Sequence, residues 1–127
     1  MLHHVSLGVS DPPRSGQFYD AALSALGYVR VWSHETDIGY GSEGGGDKLA
    51  LKFRRGAIVP LPGFHLAFAA ASRADVDRFY AAALLHGGRD NGLPGLLPEY
   101  GPGYYAAFVI DPDGYELEAV IVEPTGT

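Results

Sequence analysis

His3-His4-Val5-Ser6-Leu7-Gly8-Val9-Ser10-Asp11-Pro12-Pro13 and Gly63-Phe64-His65-Leu66-Ala67-Phe68-Ala69-Ala70-Ala71-Ser72-Arg73 open two copies of one pattern. Sliding the chain against itself by 61 residues lays His4 on His65, Phe18-Tyr19 on Phe79-Tyr80, Ala21-Ala22-Leu23 on Ala82-Ala83-Leu84, and Gly27 on Gly88. A repeat of nearly half the chain length is the mark of a duplicated unit, and it governs every later assignment. In the first copy Val5, Leu7 and Val9 alternate with His4, Ser6 and Gly8, which is the period of a strand. Asp11 then supplies an N-cap with proline behind it, Phe18, Tyr19, Ala22, Leu23 and Leu26 form one helical stripe, and Gly27 stops the helix. The second copy reads as a strand from His65 to Ala70, then a helix started by Ser72 and Asp75. Its stripe is Val76, Phe79, Tyr80, Ala83 and Leu84, ended by Gly87-Gly88.

The rest of each half is strand-like. Tyr28–Ser33, Asp37–Tyr40 and Lys48–Phe53 follow the first helix, and Tyr104–Ile110 and Tyr115–Val122 follow the second. Asp111-Pro112-Asp113-Gly114 between the last two is a turn, with Pro second and Gly fourth. The unit is β-α-β-β-β, occurring twice, which predicts an α+β fold of two tandem modules. Arg89–Gly103 is rich in Gly and Pro and, at this length, reads as a functional loop. Gly39-Tyr40-Gly41-Ser42-Glu43-Gly44 matches the dinucleotide pattern but no helix follows it, so it reads as a hairpin loop.

Composition narrows the function. With 127 residues, 46% hydrophobic and 19% charged, the chain has the profile of one ordinary globular domain. A net charge of −6, without any cluster of Lys or Arg, speaks against a nucleic-acid partner. The absence of cysteine excludes disulfides and thiolate metal sites. No leader-like segment or apolar run long enough for a membrane span is present, so no membrane partner and a cytoplasmic location are expected.

The carrying residues are His4-Val5-Ser6-Leu7-x-Val9-x-Asp11 with Phe18-Tyr19, then Gly63-x-His65-x-Ala67-Phe68, and finally Asp111-Pro112-Asp113-Gly114-Tyr115-x-x-Glu118. In these the chain resembles the glyoxalase, bleomycin-resistance and extradiol-dioxygenase superfamily, the vicinal oxygen chelate proteins. The resemblance implies one domain over 1–127, with module one about 1–58 and module two about 62–123. The modules would form a cupped mixed sheet around a cavity, with the helices on the outer face. It also implies that His4, His65 and Glu118 are metal ligands. Strand parity agrees, since His4, His65 and Glu118 each alternate with apolar neighbours. Two imidazoles and a carboxylate suit Fe(II), Mn(II) or Zn(II), so a divalent metal ion is the expected cofactor.

Members resembling glyoxalase I use a fourth, acidic ligand on the last strand of the first module. Here Lys48–Phe53 has no carboxylate or imidazole, and Ala50 or a neighbour stands in that place. Three protein ligands leave an octahedral ion about three open positions, which places dioxygenase-like chemistry slightly ahead of a glyoxalase-like lyase or isomerase. The partner would be a small oxygen-rich substrate. The alternative is a metal-free protein that binds and sequesters a small molecule. Tyr100, Tyr104 and Tyr105 are candidates to hydrogen-bond a bound substrate, while any general base is unidentified. His3, His34 and His86 read as solvated bystanders, and Arg54-Arg55 as a solvated strand end. The linker Arg54–Gly63 carries two prolines and predicts an extended path suited to exchange of modules between two chains. The modules could close on each other within one chain or exchange between two; a C2 homodimer is expected, and in the exchanged form His4 of one chain would meet His65 and Glu118 of the other.

Overall fold

The alternation at the start of the chain becomes strand β1 (Val5–Val9), and the Asp-Pro-Pro signal becomes helix α1 (Pro12–Ser24). The computed structural model describes residues 1–58, 60 and 62–124. The Asp11 carboxylate accepts from the backbone N–H of Arg14 at 3.2 Å, a cap worth about 1 kcal/mol. Strands β2 (Val29–Ser33), β3 (Asp37–Gly41) and β4 (Leu49–Phe53) complete the first unit. The second repeats it as β5 (Leu66–Ala69), α2 (Arg73–Leu85), β6 (Arg89–Leu96), β7 (Tyr104–Ile110) and β8 (Glu116–Val122). The Ser72 hydroxyl accepts from the N–H of Asp75 at 3.1 Å, as its sequence position predicts.

Each unit builds one four-stranded mixed sheet. Their orders, β1-β4-β3-β2 and β5-β8-β7-β6, correspond strand for strand. In each, the first and last strands are parallel and the other pairs antiparallel. One face of each sheet carries the apolar set. Leu7, Val9, Leu49, Leu51, Val109, Leu117 and Ala119 join Phe18, Tyr19, Leu23, Val76 and Phe79 of the helices in a continuous core. Burying side chains of this size contributes roughly 1.5–3 kcal/mol each, which fixes the strand registers. The opposite faces carry Ser6, Ala50, Ala67, Phe108 and Glu118.

The repeat can now be read at the level of register. Ser6 pairs with Ala50, and Ala67 pairs with Glu118. Ser6 and Ala67 are 61 residues apart, so Ala50 is the counterpart of Glu118 in the first module.

Two expectations need correction. Most of Arg89–Gly103 is not a loop: Arg89–Leu96 forms the edge strand β6, followed by a short 3-10 turn at Pro98–Tyr100. Register shifts flank Gly92, so the strand lacks the clean alternation by which a sequence announces one. The linker does not begin as an extended path, because Ala57 N–H donates to Arg54 C=O at 3.1 Å and closes a turn. Its residues Val59 and Leu61 lie outside the described residues. The segment Gly39–Gly44 falls on the end of β3 and the turn after it.

Candidate metal centre

Glu118 is the centre of the site. Leu117 and Ala119 face the core, which turns Glu118 to the opposite face, beside Ala67 on β5 and Phe108 on β7. His65 immediately precedes β5, and its Nε2 lies 3.2 Å from Glu118 Oε1. The Glu118 side chain is only 3% exposed while His65 is 54% exposed, so solvent reaches the pair from the imidazole side. The Tyr104 hydroxyl donates to Glu118 Oε2. Burial, then that hydrogen bond to an anion, pushes the Tyr104 phenol up to about 12. One carboxylate oxygen thus faces an imidazole and the other a phenol that stays protonated through the neutral range.

These groups line an open cavity of about 580 Å³ with Phe64, Tyr100 and Phe108. Tyr100 is largely exposed and packs its ring 5.3 Å from that of Tyr104. Tyr105 is directed elsewhere. Its hydroxyl donates to Asp77 on α2 at 2.7 Å, and Arg73 lies over its ring.

His4 is not part of this cluster within one chain. It lines a separate cavity of about 220 Å³ with His3, Tyr40, Lys48 and Leu66–Ala69, and the two cavities share no residue. Tyr115 accounts for the separation. Its hydroxyl donates to Gly8 C=O at 2.7 Å, and its ring meets Phe64, next to His65. His65 therefore lies toward the far end of β1 from His4. Among the described residues no three His, Asp or Glu side chains stand together as a metal-binding group. The His65–Glu118 pair fits a divalent ion in kind, an imidazole beside a buried carboxylate at the wall of an open cavity. It is an incomplete set.

The other histidines are exposed, with contacts the sequence did not announce. His3 Nδ1 lies 2.8 Å from His4 Nδ1, and the two rings meet edge to face. His34 packs against Trp32, and His86 Nδ1 lies 2.9 Å from Ala82 C=O at the end of α2. Arg54 and Arg55 are exposed just past β4, as expected of a strand end.

Sequence reasoning missed a brace behind the site. Asp111 Oδ1 accepts from the N–H groups of Asp113, Gly114 and Tyr115 at 2.8–2.9 Å, and Oδ2 accepts from the buried Tyr19 hydroxyl at 2.5 Å. Asp113 accepts from the Ser10 and Ser15 hydroxyls and from Arg14. The β7–β8 turn is therefore bolted to the start of α1 in the other module. The signal was Asp-Pro-Asp-Gly itself, whose carboxylates can serve both their own turn and a neighbour.

The chain has recognisable relatives. The family profile described as Glyoxalase/Bleomycin resistance protein/Dioxygenase superfamily matches residues 1–119. Among solved structures, a glyoxalase/bleomycin resistance protein from Albidiferax ferrireducens T118 is 32% identical with a TM-score of 0.79; the alignment covers 92% of this chain and 94% of that one. A glyoxalase-related enzyme from Fulvimarina pelagi is 23% identical over 98% of this chain and 91% of that one, with a TM-score of 0.73. A glyoxalase I mutant from Zea mays is 25% identical with a TM-score of 0.67, over 92% of this chain and 45% of that one. No curated protein matches the chain.

Proposed function

The chain belongs to the glyoxalase/bleomycin resistance protein/dioxygenase superfamily, and from that premise we propose that it is a metal-dependent enzyme acting on a small oxygen-rich substrate. The observation that carries the reading is the His65–Glu118 pair, an imidazole 3.2 Å from a buried carboxylate at the wall of an open cavity. Tyr104 already donates to Oε2, so Oε1, which faces His65 at the cavity, is the oxygen that would meet an ion.

His65 and Glu118 would hold the ion from one chain, and His4 of a second copy would complete the set. A divalent ion, Fe(II), Mn(II) or Zn(II), would supply Lewis acidity and, if redox-active, a route to O₂ chemistry. The protein's own contribution is to hold Glu118 oriented through Tyr104. With Ala50 where a fourth acidic ligand would stand, the set favours dioxygenase-like chemistry over a glyoxalase-like lyase or isomerase.

A second reading is supported by the separation of His4 from the pair: a metal-free protein that binds and sequesters a small molecule in the Glu118 cavity. Metal content separates the two. Protein purified without chelator or metal-affinity tag and supplied with Fe, Mn, Zn, Co or Ni is expected to retain about one ion per site, and Glu118→Ala is expected to lose it together with activity. Wild-type protein that never retains an ion favours the binder. Full occupancy in Glu118→Ala shows that the ligands lie elsewhere.

A further inference from the structure

Asn91 is the only asparagine of the chain, and a glycine follows it. In Asn-Gly the side-chain amide is especially open to attack by the next backbone nitrogen, because glycine puts no Cβ in the way. Whether that chemistry runs in a folded protein depends on what holds the amide, the nitrogen and its proton.

The fold loosens the first and engages the last. Asp90 pairs with Val109 and Gly92 with Phe108, so Asn91 is the extra residue of a β-bulge on the edge strand β6. Asn91 is exposed, and among the described residues its amide bonds only Glu116, Nδ2 donating to Oε1 at 3.4 Å, the weak end of the hydrogen-bond range. The Gly92 N–H donates to the Asp90 carboxylate at 2.9 Å, which sets a base on the proton that the nitrogen must lose. Glycine is also what position 92 demands: a Cβ there would stand 2.8 Å from the Phe108 ring, and its φ of +154° is one that other residues rarely adopt. The chain's other pair of this kind, Asp113-Gly114, is held the opposite way. There the side chain accepts from Ser10, Arg14 and Ser15, and the Gly114 N–H donates to both the carbonyl and the carboxylate of Asp111.

We propose that Asn91 is a site of spontaneous deamidation, assisted by Asp90, in the wall of the Glu118 cavity. Asp90 takes the proton from the Gly92 nitrogen, which bonds to Asn91 Cγ and closes a five-membered ring. The tetrahedral carbon expels the amide nitrogen as ammonia, which carries away the proton that Asp90 held. Water then opens the succinimide at either carbonyl, leaving aspartate or isoaspartate at position 91. Asn91 lines the cavity with His65, Glu116 and Glu118, so the product adds a third carboxylate to that wall and replaces a donor to Glu116 by a like charge. The charge of the cavity thus changes with the age of the molecule, with no partner enzyme.

Peptide mapping by mass spectrometry of wild-type protein kept in neutral to mildly alkaline buffer is expected to show one amide turned to acid, in the peptide that holds Asn91. Asn91→Gln, whose longer side chain closes no five-membered ring, is expected to show none. Asp90→Ser keeps an acceptor for the Gly92 N–H but not a carboxylate base, and is expected to react about tenfold more slowly. Folded wild type is expected to react at least as fast as the same chain in urea, where Asp90 is no longer held against the nitrogen; this comparison decides the matter should Asp90→Ser fail to fold. A folded protein that keeps its amide, or loses it more slowly than the unfolded chain, overturns the proposal. So does a gain mapped to Gln17, or an Asp90→Ser variant that reacts as fast as wild type or faster.

Discussion

Glu118 shows how one residue acquires its properties from its neighbours. Strand parity turns it from the core, Tyr104 takes one oxygen, His65 approaches the other, and Phe108 covers its flank. The phenol is the most readily tested of these. Tyr104 is raised from its ordinary 10.0 to about 12, first by burial and then by the hydrogen bond to Glu118. A raised folded-state value means that the contribution to stability is complete below the unfolded value and is lost as pH rises through about 12. Subtracting the alkaline absorbance titration of Tyr104→Phe from that of wild type is expected to leave a tyrosinate step near 12; a step near 10 would show the phenol free of Glu118. The same variant is expected to lose about 1–2 kcal/mol in chemical denaturation, one hydrogen bond to a charged acceptor. His65 and Glu118 were legible, together with His4, through the family resemblance, with strand parity in agreement; that the first two meet while His4 stands apart was not. That Tyr104, rather than Tyr105, reaches the carboxylate was open, although adjacent strand residues must face opposite ways and only one could.

At the scale of elements, the β7–β8 turn does more than reverse the chain. Asp111 is nearly buried and its carboxyl is raised, chiefly by desolvation, against the lowering effect of Tyr19 and the backbone donors. Asp111→Ala orphans the Asp113 and Tyr115 N–H groups and a buried phenol, while Gly114 keeps the Asp111 carbonyl, and is expected to cost about 3 kcal/mol or more in denaturant unfolding. Asp111→Asn keeps an acceptor for the backbone and removes the charge. Because the folded protein holds the proton more tightly than the unfolded chain, the Asp111 contribution weakens as pH rises from the ordinary aspartate range through the folded value. The stability difference is therefore expected to move in favour of Asp111→Asn over that interval; movement the other way would mean that hydrogen bonding outweighs burial. The helices were fully legible, each with its cap and stripe. Strand β6 was not, since Gly92, Pro94 and Gly95 mask its period and its pairing with β7 is what makes it a strand.

For the whole molecule, the repeat specifies two equivalent sheets, and a single chain leaves His4 and the His65–Glu118 pair in different cavities. The resemblance could suggest the proposed ligand types but not which copy would supply them, because that depends on how the outer edges of β1 and β5 are paired. Light scattering at micromolar concentration is expected to give the mass of a dimer. Mixing His4→Ala with Glu118→Ala under exchanging conditions tests the composition of the site. Each parent should lose its metal, while the hybrid dimer regains one intact site, so about a quarter of wild-type occupancy should return for a symmetric pair. No recovery, with exchange verified by mass, would place the ligands within one chain. The brace between the β7–β8 turn and α1 has a further consequence. It joins Ser10 to Asp113 and Tyr19 to Asp111, near opposite ends of the 127-residue chain. During synthesis Tyr19 emerges 92 residues ahead of Asp111, and Ser15 98 residues ahead of Asp113, the carboxylates they bond. The first module must therefore persist without these contacts until the β7–β8 hairpin follows, and its final folding is timed by that arrival.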